Sequence, residues 1–298
     1  MTPSKSECLR SGAITLGASV MAKRAASAAE PRHLIIIGAM KCGTTTLFDI
    51  LATHPEIAPA RIKEPEYFSS DPAPQHEGVA TYTDLWPDEA IQAGQYLLEA
   101  STGYSKDYTA KISAEQIRAA KIRPKLIYIV RDPIARIESQ LNWGLYRPMF
   151  DPKVKIVGLG NSKYWQRLSP YADFHENGDL LLLDFDELKN DPDALTARVA
   201  DFLELENTFD LESVSVSNKT LGPTVVEHLV YRNTILRKAF WNSPYRVRQK
   251  WKQLMRFGPK TDKMRLNASE RAEAYGWLEE DIRKFGQTYR FDVGKWGF

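Results

Sequence analysis

Apolar positions along this chain alternate between two spacings. Residues 34–37 form an unbroken apolar run, the pattern of a short strand covered on both faces, whereas residues 44–53 place Leu47, Ile50 and Leu51 on one side of a helix. Residues 126–130 repeat the strand pattern, with Asp132 as a helix cap and Pro133 suited to the first helical position. Residues 96–100 and 180–188 supply two further strands. Helical composition marks 114–120, 164–175 and 193–203, with Asn190-Asp191-Pro192 as a break, and 269–285 forms another amphipathic helix. Strands alternating with helices predict an α/β protein, a three-layer αβα arrangement around a mostly parallel sheet. Ligands of such sheets bind at the carboxyl ends of the strands.

Length and composition bound the rest. At 298 residues the chain can bury the core of one enzyme domain, expected over 32–298, with 1–31 as a flexible N-terminal extension. The apolar stretch in that extension is too short to span a bilayer, and two positive charges follow it, unlike a secretory signal. No transmembrane segment is expected. The net charge is only +2, yet residues 231–265 carry eleven Lys or Arg and one acid, Asp262, with Phe240, Trp241, Tyr245, Trp251 and Phe257 interleaved. That stretch suits an anionic glycan or an acidic membrane surface, and equally the solvated face of two helices broken at Pro244; no nucleic-acid partner is expected. The two cysteines, Cys8 and Cys42, demand no oxidising compartment, so the expected location is cytoplasmic. The five histidines lack zinc spacing, and no metal is expected.

Candidate chemistry begins between the first strand and helix, where Gly38 and Gly43 bracket a tight loop containing Lys41. Helix-start amides are unpaired and partly positive, so the loop suits a phosphate or sulfate. It is not a Walker A loop: the residue after Gly43 is Thr44, and the lysine stands two places before that glycine. The order Lys41-Cys42-Gly43-Thr44-Thr45 resembles the 5′-phosphosulfate loop of sulfotransferases that use 3′-phosphoadenosine 5′-phosphosulfate (PAPS), notably the heparan-sulfate type and its bacterial relatives. A second segment, Arg131-Asp132-Pro133, then Arg136 and Ser139, is similar to the 3′-phosphate-binding segment of the same family. Arginine suits that task because its planar fork donates two parallel hydrogen bonds to phosphate. The resemblance covers about residues 34–218 and implies a P-loop nucleotide-hydrolase-like topology.

By that resemblance the chain is a sulfotransferase moving a sulfuryl group from PAPS, as co-substrate, to a hydroxyl acceptor, more in keeping with a carbohydrate or glycolipid than a small phenol. Lys41 would serve the leaving 5′-phosphate. The amides of Gly43, Thr44, Thr45 and Thr46, with the three threonine hydroxyls, would hold its oxygens, and Cys42 would contribute backbone contacts. Arg131 and Ser139 would grip the 3′-phosphate. Asn218, Lys219 and Thr220 would fold over the nucleotide. A sulfuryl group carries less charge than a phosphoryl group, so no divalent metal is required. In residues 61–68 the resemblance points to Glu64 as general base, with Glu66, His76 and Glu99 in reserve. The match to heparan-sulfate 3-O-sulfotransferases fails at Ala100, where those enzymes place a lysine that approaches the reaction centre; Lys63 and Lys106 are candidate substitutes. Two other classes stay open: a nucleotide kinase or NTPase with an irregular P-loop, which needs magnesium, and a non-catalytic binder of anionic glycans or membranes.

Overall fold

The computed structural model describes residues 31–144, 159–214, 224–244 and 265–298, together with single positions between 245 and 264. In chain order the elements are β1 (Arg32–Gly38), α1 (Thr44–Leu51), β2 (Ile57–Pro59), α2 (Asp88–Gln92), β3 (Tyr96–Ala100), α3 (Ala110–Ala119), β4 (Lys125–Val130) and α4 (Pro133–Gly144). They continue with α5 (Tyr164–Leu168), α6 (Ala172–Glu176), β5 (Leu180–Asp184), α7 (Phe185–Asn190), α8 (Pro192–Leu203), α9 (Val225–Arg232), α10 (Thr234–Asn242) and α11 (Ala268–Tyr289).

All the strand pairings are parallel and the sheet order is β2-β3-β1-β4-β5. Parallel strands need covered crossovers, so β1 is buried on both faces, as its apolar run requires. After β1 the chain builds outward to β2 and back to β3, then crosses to β4 and β5 on the other side. The strand order therefore reverses between β1 and β4, and the crevice at their carboxyl ends is where open α/β sheets bind ligands. Both motifs found in the sequence leave the sheet at this crevice: the glycine-bracketed loop follows β1, and Arg131 follows β4.

Helix α11 closes the core at the C-terminal end. Its Leu278, Ile282 and Phe285 are buried, Phe285 lies against Tyr164 at 5.6 Å between ring centroids, and Asp281 caps α5 by accepting from the backbone N–H groups of Trp165 and Gln166 at 3.0 Å each.

Several element boundaries differ from the sequence expectation for local reasons. The strand expected over 180–188 stops at Asp184, whose carboxylate accepts from Asp186 N–H at 3.0 Å and starts α7. The helix expected over 164–175 is split by a 3-10 turn at Ser169–Tyr171, because Pro170 has no N–H to continue the ladder. In the basic region the chain already breaks at Asn233, which caps α10 by accepting from the N–H groups of Ile235 and Leu236, ahead of Pro244. The short elements β2 and α2 carry too few residues to show a period. Among the described residues no helix is long and apolar enough to cross a membrane. Residues 1–30 lie outside the described residues.

Candidate active site

The loop between β1 and α1 is shaped by its backbone. Gly38 (φ 150°), Lys41 (φ 71°) and Gly43 (φ 88°) all have positive φ, the region that glycine enters without strain. A Cβ at Gly38 would collide with Ser105 Oγ and lie 2.9 Å from the Tyr128 ring, and one at Gly43 would lie 2.9 Å from the Phe185 ring. Both glycines are thus required twice over, by conformation and by space. Ala39 N–H donates to the Ile129 carbonyl at 2.9 Å, tying the loop to β4, and the first helical hydrogen bond of α1 runs from Leu47 N–H to the Gly43 carbonyl at 3.0 Å. The amides of Thr44, Thr45 and Thr46 precede that bond and Gly43 supplies no side-chain cap, the arrangement that suits a helix start to an anion.

Cys42 within the loop is fully buried. Its Sγ lies 3.8 Å from Tyr164 Oη, and burial pushes its thiol up to about 11, against the smaller opposing pull of Arg136. A thiol in that state is no nucleophile at neutral pH.

The β4 side is built from Arg131 onward. Asp132 Oδ1 accepts from Ile134 and Ala135 N–H at 2.7 and 3.0 Å, so it caps α4 as its position before Pro133 predicts. Tyr164 Oη donates to the Arg131 carbonyl at 2.6 Å and accepts from Arg131 N–H at 3.3 Å, fixing the backbone there. The half-buried Arg131 guanidinium lies over the Phe185 ring, 4.6 Å from its centroid. That ring is also the neighbour of Gly43, so one aromatic side chain brings the arginine beside the anion loop. Ser139 is half-buried in the second turn of α4.

Three contributors escaped the sequence reading. Phe185 looked like part of a strand, and its signal was its place directly after the acidic end of β5. Tyr164 looked like an ordinary core aromatic. Arg136 was noted in the motif without a role. It is fully buried, donating through Nε to Ser162 Oγ at 2.6 Å and through Nη1 to Gln140 Oε1 at 2.8 Å and to the Met40 carbonyl at 3.3 Å. The last bond joins α4 directly to the anion loop.

Glu64 lies in the segment that follows β2. Its side chain is exposed and its φ is 50°. The residues after it are firmly held: His76 Nε2 donates to the Pro65 carbonyl at 2.7 Å, Glu66 N–H donates to Ser101 Oγ at 2.9 Å, and Phe68 N–H donates to Tyr104 Oη at 3.2 Å. Of the reserve bases, His76 is therefore engaged with Pro65, and the Glu66 carboxylate accepts from Gly103 N–H at 2.9 Å and from the Ser69 hydroxyl. Lys106 pairs with Glu66 at 3.8 Å, while Lys63 is exposed and Ala100 is buried. Asn218, Lys219 and Thr220 lie outside the described residues.

The comparisons fit this geometry. A family model described as "Sulfotransferase domain" matches residues 31–262. The chain belongs to this family. Curated relatives include heparan sulfate glucosamine 3-O-sulfotransferase 3B1 of Mus musculus, 30% identical over an alignment of 187 positions that covers 58% of this chain and 46% of that protein. Bifunctional heparan sulfate N-deacetylase/N-sulfotransferase 2 of Homo sapiens is 23% identical over an alignment of 194 positions that covers 57% of this chain and 21% of that protein. The chain thus spans about half the length, or less, of the curated relatives it matches. Among solved structures, a sulfotransferase from Alicyclobacillus acidocaldarius superposes with a TM-score of 0.57 at 17% identity, covering 91% of this chain and 100% of that one, a likeness of fold.

Proposed function

We propose that the protein transfers the sulfuryl group of PAPS to a hydroxyl of a carbohydrate or glycolipid. The observation that carries this reading is the Phe185 ring shared by Gly43 and Arg131: a helix-start anion loop and a guanidinium stand side by side where the strand order reverses. Two anionic groups of one nucleotide have partners there, the 5′-phosphosulfate at Lys41 and the amides and hydroxyls of Gly43 to Thr46, and the 3′-phosphate at Arg131 and Ser139.

In the transfer, the acceptor oxygen attacks sulfur in line. Its proton passes to Glu64, the new O–S bond forms, and the bond from sulfur to the bridging 5′-phosphate oxygen breaks. The electron pair leaves with 3′-phosphoadenosine 5′-phosphate (PAP), whose growing charge the Lys41 ammonium offsets. Asn218, Lys219 and Thr220 complete the reading as a loop over the nucleotide. None of these steps calls for a metal. A Walker-type kinase reading finds no lysine after Gly43 to serve it.

The basic region adds a second contact. On α9 and α10, Val225, Val226, Leu229, Ile235 and Leu236 are exposed, beside a sequence with eleven cations between 231 and 265. An exposed apolar row within a stretch of sequence rich in Lys and Arg suits the surface of an anionic membrane that carries a glycolipid acceptor, reached from the cytoplasm.

Incubation with labelled PAPS, without metal, tests the function against three acceptors: a desulfated heparan chain, a glycolipid in vesicles and a simple phenol. Label on either glycan and little on the phenol is the expected outcome. Label on the phenol alone would overturn the glycan assignment.

A further inference from the structure

The acceptor side contains a buried acid that the reaction above does not use. Glu99, near the end of β3, has no exposed surface, and an ionised carboxylate in such a place needs donors around it. It has three. Tyr82 and Tyr104 donate to Oε1 at 3.0 and 2.8 Å, and Ser101 donates to Oε2 at 3.0 Å. Two of these hydroxyls also face the segment that carries Glu64: Ser101 Oγ accepts from Glu66 N–H at 2.9 Å, and Tyr104 Oη accepts from Phe68 N–H at 3.2 Å. The Glu66 carboxylate closes the same unit on Gly103, where a Cβ would take up its space. Glu64 and Glu66 both have positive φ, at 50° and 53°, a backbone state that persists only when surrounding contacts hold it.

We propose that Glu99 is a positioning residue for the acceptor base: through Ser101 and Tyr104 its carboxylate fixes the backbone at Glu66 and Phe68, and so holds Glu64 at the reaction centre. The inference rests on the reading of Glu64 as the base.

The network works because each hydroxyl has one proton and two lone pairs. With Glu99 ionised, the protons of Tyr82, Tyr104 and Ser101 all point at it, which leaves the oxygens of Ser101 and Tyr104 free to accept from the backbone. A protonated Glu99 has to donate from one oxygen itself, and one of the three hydroxyls must turn away. Burial pushes Glu99 up to about 7, against the opposing effect of the three hydroxyls, so the two arrangements exchange near neutral pH.

The groups around Glu99 do not switch with it. Burial drives Tyr82, Tyr104 and Tyr171 well above their ordinary range, and Tyr171 Oη donates to the Tyr104 carbonyl at 2.7 Å. His33 of β1, 5.4 Å from the Tyr82 ring centroid, is lowered to about 4 by burial and is neutral at pH 7. Among the described residues, the Glu66 carboxylate also acts on Glu99 and is paired with Lys106. The stability consequence has a definite sign. Folded Glu99 keeps its proton up to about 7 where an ordinary glutamate loses it near 4.5, so its contribution to stability falls as pH rises between these values.

Glu99→Gln tests the proposal, because glutamine keeps an acceptor for the two tyrosines and offers Ser101 a donor, a permanent copy of the protonated state. The expected result is kcat lower by about ten- to hundredfold at pH 8, with PAP affinity unchanged and the wild-type rise in kcat between pH 6 and 8 flattened. A purely structural role would lower the melting temperature and leave that pH profile intact. Wild-type kcat with the wild-type profile overturns the proposal. Should Glu99→Gln fail to fold, Ser101→Ala decides: it leaves Glu99 in place and cuts the tie to Glu66 N–H, and wild-type kcat there would be equally fatal. Glu64→Gln run alongside separates the two claims, since activity surviving that change removes the base itself, whereas an inactive Glu64→Gln beside a fully active Glu99→Gln removes only the positioning role.

Discussion

Lys41→Ala is expected to lower single-turnover sulfuryl transfer by at least about a hundredfold, the scale for removing one preorganised group that meets charge growing in a transition state. The side chain springs from the middle of the anion loop, between Ala39, tied to β4, and Gly43, packed on Phe185. Those two ties and the Arg136 bond to the Met40 carbonyl stay in place when the lysine side chain is removed. The variant should therefore fold and still bind PAP through Arg131 and the helix-start amides. The loss belongs in kcat, because the ammonium matters most when the 5′-phosphate leaves. Near-normal turnover in a folded Lys41→Ala protein would remove the leaving-group role.

Glu64→Gln is expected to cost about a hundred- to ten-thousandfold in turnover, the range for a positioned general base, with PAP affinity unchanged. The side chain is exposed, so no packing is lost by the exchange. The surrounding groups are poorly placed to take over, since His76 is bonded to the Pro65 carbonyl and Glu66 is bonded to Gly103 N–H, Ser69 and Lys106. Wild-type turnover would place the base elsewhere, first at Glu66 or His76.

How far the sequence alone leads can be judged from individual residues. The 34–37 run and the 126–130 run were readable as strands because parallel strands buried on both faces must be apolar throughout. Asp132 and Pro133 were readable because a cap and a fixed φ act within a few residues of chain. The same logic placed Lys41 and Arg131 at strand ends, and the sheet order sets β1 beside β4. What the sequence hid is contact across long separations. Phe185 meets Gly43 and Arg131 only once β5 has docked beside β4, and the Arg136 bond to Met40 spans 96 positions. Glu99 entered the sequence analysis only as a reserve base, because its three hydroxyl partners come from two turns on either side of β3, and no local spacing encodes that. Element ends drifted where one side chain decided them, as at Asp184 and Asn233.

Calorimetric titration of the purified protein with PAP and with ADP, each with and without magnesium, bears most directly on the pairing of the anion loop with Arg131. PAP should bind at least about tenfold more tightly than ADP, with or without the metal. Arg131→Ala should weaken PAP by about 1.5–3 kcal/mol, the range for hydrogen bonds to a charged group, and remove its advantage over ADP. Equal binding of the two nucleotides, or binding that requires magnesium, would contradict the 3′-phosphate assignment and return the site to a kinase or NTPase reading.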